Sequence, residues 1–207
     1  MAFASVEGRL PDAATSAGWL PPQDDDTGGA DLVDAIADAT VARERDRPWA
    51  ETYDRWLASV STMQDAFART DLHTRVLWVA GEFTARTLAT TRLAETWIHT
   101  GDVAVGLGVA VPPSDRLWHI TRLAWRTLPY AFERAGRPAP GPVAFDLVGP
   151  HGDRWEFGPD GGAPTTIRGK ALDLCLVASR RVSPAETGLV AEGPDAGAVL
   201  ALVRTWA

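Results

Sequence analysis

The stretch TTRLAETWIHTGDVAVGLG, residues 90–108, decides how the chain is read. Leu88, Leu93 and Trp97, with Val103 and Leu107 beyond them, recur at helical spacing and make an apolar stripe; Gly106 and Gly108 supply the stop. On such a helix Glu95 and His99 stand four residues apart and project from one face, one above the other. Asp102 follows three residues later, and Arg92 lies about one turn before Glu95. A carboxylate and an imidazole placed this way suit one divalent cation. Two ligands do not hold it, so a third must come from elsewhere in the fold, with an open position left for water or substrate. The same spacing is also that of an ordinary surface pair, and the residues alone leave both readings open.

Working outward toward the N-terminus, HTRVLWVAG (73–81) is apolar and β-branched and reads as a short strand or an extended connector. Before it, PWAETYDRWLASVSTMQDAFART (48–70) places Trp49, Tyr53, Trp56, Leu57, Val60, Met63 and Phe67 on one helical face, which predicts an amphipathic helix of about twenty residues. Leu32, Val33, Ile36 and Val41 predict a further helix capped by Asp31. Residues 1–30, with their Gly and Pro and the acid run Asp24–Asp26, read as a poorly ordered segment.

Toward the C-terminus, Leu117, Ile120, Leu123, Ala124 and Leu128 mark another helix, with Ser114 or Asp115 as its cap and Pro129 as the point where it bends or breaks. RPAPGP (137–142) reads as a linker. Beyond it the period changes from 3.6 to 2. Val143, Phe145 and Leu147, then Trp155 and Phe157 around PHGD, predict a β-hairpin. A strand around Thr165–Arg168 follows, then an apolar run, Ala171–Ala178, open to either helix or strand, then a short strand, a turn at Gly193-Pro194 and a closing helix. The predicted class is α+β: a poorly ordered segment at 1–30, a helical bundle over 31–137, and a small α+β domain over 138–207.

Composition narrows the function. The 207 residues carry a net charge of −7, and the twenty basic residues include one lysine, Lys170, with no basic cluster. SRRV at 179–182 is too short to count as one, so no nucleic-acid partner is expected. No apolar run is long enough to span a membrane, the first residues lack a signal-peptide pattern, and the expected compartment is the cytoplasm. Cys175 is the single cysteine, which excludes an internal disulfide and a cysteine-based zinc cage; in its apolar run it reads as a buried small residue. Nine tryptophans suit either a core or an apolar pocket.

The stretch from 89 onward resembles the signature of the mycothiol-dependent maleylpyruvate isomerase family, part of the DinB-like metal-binding superfamily, in Arg92, Leu93, Glu95, Trp97, His99, Asp102 and Gly108. PPSDRLWHITRLAWRTLPYAFERAGRPAP is similar to the helix that follows in those proteins. The blocks VAFDLVGPHGDRWEFGP, IRGKALDLCLVASRR and LVAEG are similar to their sterol-carrier-like C-terminal domain. The likeness covers about residues 50–207 and is densest over 88–181.

It implies a DinB-like four-helix bundle holding a divalent metal, usually zinc, on two histidines and a glutamate. Glu95 and His99 match the E-x-x-x-H pair, and Asp102 matches the acid that follows, either as a partner orienting His99 or as plain surface. The family's other histidine lies on a helix near the N-terminus, whereas this chain has none before His73 and reads LPPQDDDTGGAD where that helix should follow. The ligand helix is lost, or the gene model starts late, or another ligand substitutes, with Asp24, Asp25 and Asp26 as oxygen candidates. His73, His119 and His151 are weaker candidates. A bundle short of one helix exposes an apolar face, which a homodimer would cover.

Two functions follow from the resemblance. One is a metal-dependent isomerase or transferase using mycothiol or a similar small thiol, with Glu95 and His99 as ligands and Arg92 contacting an anionic group of thiol or substrate. The other is a non-catalytic protein binding a small apolar molecule on the same fold.

Overall fold

The computed structural model describes residues 38–39, 41–78 and 81–205. The expected loose segment at 1–30, the helix start at Asp31 and the question of the N-terminal ligand helix lie outside the described residues. The chain divides into two compact units, Met1–Leu88 and Ala89–Ala207, and the division falls inside one helix. Each unit is taken by itself.

In the first unit, the aromatic-rich stretch forms helix α1, Trp49–Arg69, as its spacing predicts. Glu44 pairs with Arg47 at 2.6 Å and with Arg55 at 2.5 Å, and Arg47 also reaches Glu51, so the N-terminal end of α1 is laced by exposed ion pairs. At its other end the Thr70 hydroxyl donates to the Ala66 carbonyl at 2.7 Å. The HTRVLW stretch is a strand rather than a connector. β1 (Arg75–Trp78) pairs antiparallel with β2 (Gly81–Thr84), in register Arg75 to Thr84. Ala66, Val76, Ala85 and Leu88 form a small core, with Met63, Phe67 and Phe83 packed on it. The other half of the α1 stripe, Trp49, Tyr53, Trp56 and Leu57, is exposed, with Tyr53 stacked on Trp56 and tilted against Trp49 along the helix.

Helix α2, Ala85–Leu107, carries the Glu95–His99 pair. Gly108 alone ends it. With φ at +66°, Gly108 donates to Val105 and Val109 donates to Ala104, the two bonds of a left-handed C-terminal turn, while Gly106 lies within the helix. The expected stripe is only partly right. Leu88, Ala94, Ile98 and Ala104 are buried, but Val103 and Leu107 are exposed. Val103, Ala104, Val105 and Leu107 spread apolar side chains over most of the last two turns, so the pattern did not reveal that the covered face belongs to Ala104.

In the second unit, helix α3 runs Leu117–Arg126 and buries Leu117, Ile120, Thr121, Leu123 and Ala124. Neither Ser114 nor Asp115 caps it with a side chain. Backbone bonds from Leu117 to Ser114 and from Trp118 to Asp115 wind a turn into the helix instead, and Arg116 takes the cap position. The break near Pro129 is real. Thr127 separates α3 from α4, Leu128–Arg134, which places the proline in its first turn, where no N–H is needed. The Thr127 hydroxyl bonds to the Leu123 and Arg204 carbonyls, tying that junction to the end of the chain.

The sheet follows. β3 (Val143–Val148) and β4 (Arg154–Phe157) form the predicted hairpin; β5 (Thr165–Lys170) lies parallel to β3, and β6 (Val190–Glu192) antiparallel to β5, in the order β4-β3-β5-β6. Strand alternation puts Phe145, Leu147, Trp155, Phe157 and Ile167 on the buried face and a ladder of Glu156, Arg154, Asp146, Arg168 and Glu192 on the other. Between β5 and β6, the ambiguous run is a helix, α5, Ala171–Ala178. Ala171, Leu174, Cys175, Val177 and Ala178 are all essentially inaccessible, so α5 is embedded rather than amphipathic and carries no period to read. The closing helix α6 spans Ala196–Leu202. These elements share one core with Ala94 of α2 and with α3 and α4. Among the described residues no helix is long and apolar enough to cross a membrane. The α+β class is as the sequence predicts.

Two glycines near the chain end test this packing. Gly193 has φ of +108°, and a Cβ there would stand 2.1 Å from the Pro164 carbonyl oxygen; Gly197, in α6, has open space around it. Gly193→Ala should destabilise by at least about 2 kcal/mol in urea unfolding, and Gly197→Ala should be neutral or stabilising by up to about 1 kcal/mol.

Candidate metal centre

Glu95 and His99 are on one face of α2, as helical geometry requires, with Glu95 Oε2 3.5 Å from His99 Nε2. The glutamate side chain is one-fifth exposed and the imidazole about two-thirds, so the pair opens outward from a largely covered carboxylate. Two donors bound to one zinc ion at tetrahedral angles and ordinary bond lengths stand about 3.3–3.4 Å apart. The separation found here is close to that spacing and is equally that of a direct glutamate–histidine ion pair.

The other imidazole nitrogen is also engaged. His99 Nδ1 lies 3.2 Å from Oδ2 of Asp102. Asp102 is in turn gripped by Arg181: Nε donates to Oδ1 at 2.9 Å and one terminal nitrogen to Oδ2 at 2.6 Å. The other terminal nitrogen donates to the Ser179 carbonyl at 2.6 Å, which anchors the guanidinium at the end of α5. A line of charge-assisted contacts thus runs from Arg181 through Asp102 and His99 to Glu95. The Arg181 bonds hold the Asp102 carboxyl down to about 2, against the opposing effect of burial, with His99 adding to the lowering. Arg181 is raised by the same bonds and feels Glu95 as well.

Arg181 is placed by the backbone. α5 ends in a left-handed turn in which Arg180 donates to Val177 and Arg181 to Leu176. Arg180 occupies the position usually given to glycine, at φ +62°, and its guanidinium caps the Ala201 and Leu202 carbonyls at the end of α6. The turn sends the next residue, Arg181, toward α2. Sequence reading missed this role. A two-arginine run carried no signal for it, because the partner lies 79 residues away.

Arg92 is half-buried one turn before Glu95. Burial pushes its guanidinium below the ordinary value, while the Glu95 charge acts in the opposite direction. Among the described residues, no three of His, Cys, Asp and Glu gather into a set able to hold an ion. His73 and His119 are exposed, and the His119 ring meets Trp118 edge-on. His151 is exposed in the hairpin turn, its Nε2 3.9 Å from Asp115. Cys175 is buried as expected, and burial pushes its thiol far above the ordinary range, which makes it an unreactive core residue.

Residues 4–104 match the family model of the mycothiol maleylpyruvate isomerase N-terminal domain. The likeness read from about residue 50 onward therefore reaches back to residue 4. Two relatives from Mycobacterium tuberculosis, the uncharacterized proteins MT0041 of strain CDC 1551 and Rv0036c of strain H37Rv, are each 31% identical over 192 residues, covering 88% of this chain and 74% of theirs. The chain belongs to the mycothiol maleylpyruvate isomerase N-terminal domain family.

The Asp102–Arg181 pair should be visible in acid. Asp102 has a folded-state pKa depressed from 3.8 to about 2, so its contribution is present above about pH 4 and is lost as the pH falls toward 2. Its carboxylate is 41% exposed, and solvent screening reduces the contribution to on the order of 1 kcal/mol or less. Urea unfolding of Asp102→Asn beside the parent should show a stability gap at neutral pH that narrows through that acid window.

Proposed function

We propose that the chain is a metal-dependent enzyme of small-thiol chemistry, an isomerase or transferase in which a thiol cofactor such as mycothiol adds to an electrophilic substrate. The observation that carries this reading is the Glu95–His99 pair, whose donor atoms are spaced for one ion and whose histidine is backed by Asp102 and Arg181. Family membership supports the thiol, and the donor set of one carboxylate and one imidazole suits zinc.

In this reading Glu95 and His99 would hold the ion from α2, and the ion would need a third donor besides them. A metal ion held there would supply the charge that favours the thiolate form of a small-thiol cofactor near neutral pH. Arg92 contacts an anionic group of the cofactor or substrate. Asp102 takes the hydrogen bond of the His99 nitrogen that does not face Glu95 and holds the ring in plane.

A second reading has one observation of its own. An open cleft of about 330 Å³ is lined by Trp125, Arg126, Leu128, Pro129, Pro140, Gly141, Val143 and Pro159. Its lining is mostly apolar, which suits a small apolar molecule in a non-catalytic protein.

Calorimetry of zinc binding to metal-stripped protein separates the two readings. The enzyme reading expects a stoichiometry near one, abolished in the Glu95→Ala/His99→Ala double variant. Weak binding that the double variant leaves unchanged would sink the enzyme reading and favour the binding protein.

A further inference from the structure

We propose that Arg180 and Arg204 form an oxyanion site where the ends of α5 and α6 meet, and that it takes a phosphate group. The site is independent of an ion at Glu95 and His99.

Both arginines stand on backbone that the fold holds in place. Arg180 follows α5 at φ +62°, and its terminal nitrogens donate to the Ala201 carbonyl at 3.0 Å and the Leu202 carbonyl at 3.3 Å. Arg204 lies two residues beyond Leu202, so the chain itself brings the second guanidinium close to the first. The Arg204 carbonyl accepts the Thr127 hydroxyl at 2.9 Å, and the Thr205 N–H donates to the Ala178 carbonyl at 3.0 Å. The backbone is thereby tied on one side to the α3–α4 junction and on the other to α5. Val203 and Thr205 are buried, which leaves the half-buried Arg204 between them to face outward.

Two cations meet there without a counter-charge. Among the described residues neither Arg180 nor Arg204 pairs with a carboxylate. Arg180 covers the negative end of α6 with one N–H from each terminal nitrogen and keeps the rest unspent. Burial holds its guanidinium below the ordinary value, and the Arg204 charge lowers it further. The Nε of Arg204 is shut off from solvent and has no hydrogen-bond partner. A buried cationic donor without an acceptor is costly, and so is a like-charge pair beside it. An anion between the two guanidiniums removes both costs. A carboxylate has oxygens for one guanidinium fork, whereas a phosphate group has enough to engage both, with the paired bonds arginine favours. A run of two arginines is too short for a polyanion, but one phosphate group asks for no more.

The test is 15N NMR of the arginine Nε–H groups in the full chain at about pH 6.5, with inorganic phosphate titrated against sodium chloride at equal ionic strength. The Arg180 and Arg204 signals should shift together and saturate with phosphate and not with chloride. Arg204→Lys keeps the charge and loses the fork; followed on the Arg180 signal, it should raise the Kd about 10-fold or more. Arg180→Gln, followed on Arg204, should do the same. Because that change also uncaps α6, Arg204→Lys is the deciding variant. Arg168→Lys, on the outer face of the sheet, should leave the Kd unchanged. Phenyl phosphate run beside inorganic phosphate distinguishes an esterified from a free anion, the tighter binder marking the source. Signals that do not saturate with phosphate, a Kd unmoved by Arg204→Lys, or acetate binding as tightly as phosphate would each overturn the proposal.

Discussion

The burial of α5 is the constraint on which the second unit depends. Eight residues, Ala171–Ala178, form a helix with essentially no polar face, and Leu174, Cys175, Val177 and Ala178 are shut off from solvent. Such a helix has no stable place at a surface. Burying Leu174 and Val177 in full is worth roughly 1.5–3 kcal/mol each, and these side chains share one core with α3 and the sheet. The core around it is continuous, from Phe145, Leu147 and Ile167 of the sheet to Leu117, Ile120 and Leu123 of α3. A helix fixed on all sides has fixed ends, and its C-terminal end is where the charged residues begin.

The candidate site inherits that fixity. The left-handed turn after α5 puts a non-glycine residue, Arg180, at positive φ, at a cost of order 1 kcal/mol, and returns hydrogen bonds to the end of α6. The next residue delivers a guanidinium to Asp102. Asp102 holds one side of the His99 ring, and the other side faces Glu95. Packing in the α+β part therefore controls the orientation of a side chain on α2, although no residue of that part offers a donor to the pair. The lone cysteine, the residue in the core with the most obvious chemistry, is silenced by the same burial.

Most of the framework was legible because it follows local rules. The period of α1, the alternation of β3 and β4, and the break at Pro129 each rest on residues within one element. Glu95, His99 and Asp102 were legible for the same reason, since spacing on a helix fixes which side chains share a face. Three things were not. The run Ala171–Ala178 showed no clear period because its half-buried face carries Leu172 and Leu176, as apolar as the buried ones. Val103 and Leu107 looked like core because apolar side chains spread over most of that part of α2 beside Asp102. Arg181 was passed over because its role arises from a contact across 79 residues, which no local pattern encodes. The helix cap before Leu117 fell to a competing solution, a backbone turn in place of a side-chain acceptor.

In the proposed function Glu95 and His99 would hold one ion with a position open to a thiol. X-ray absorption at the zinc edge, on zinc-loaded protein with and without a small thiol, reads that arrangement. The first shell should consist of light atoms at about 2.0–2.1 Å, including imidazole, one of which gives way to sulfur at about 2.3 Å when the thiol is added. A first shell that the thiol leaves unchanged would refute the proposal.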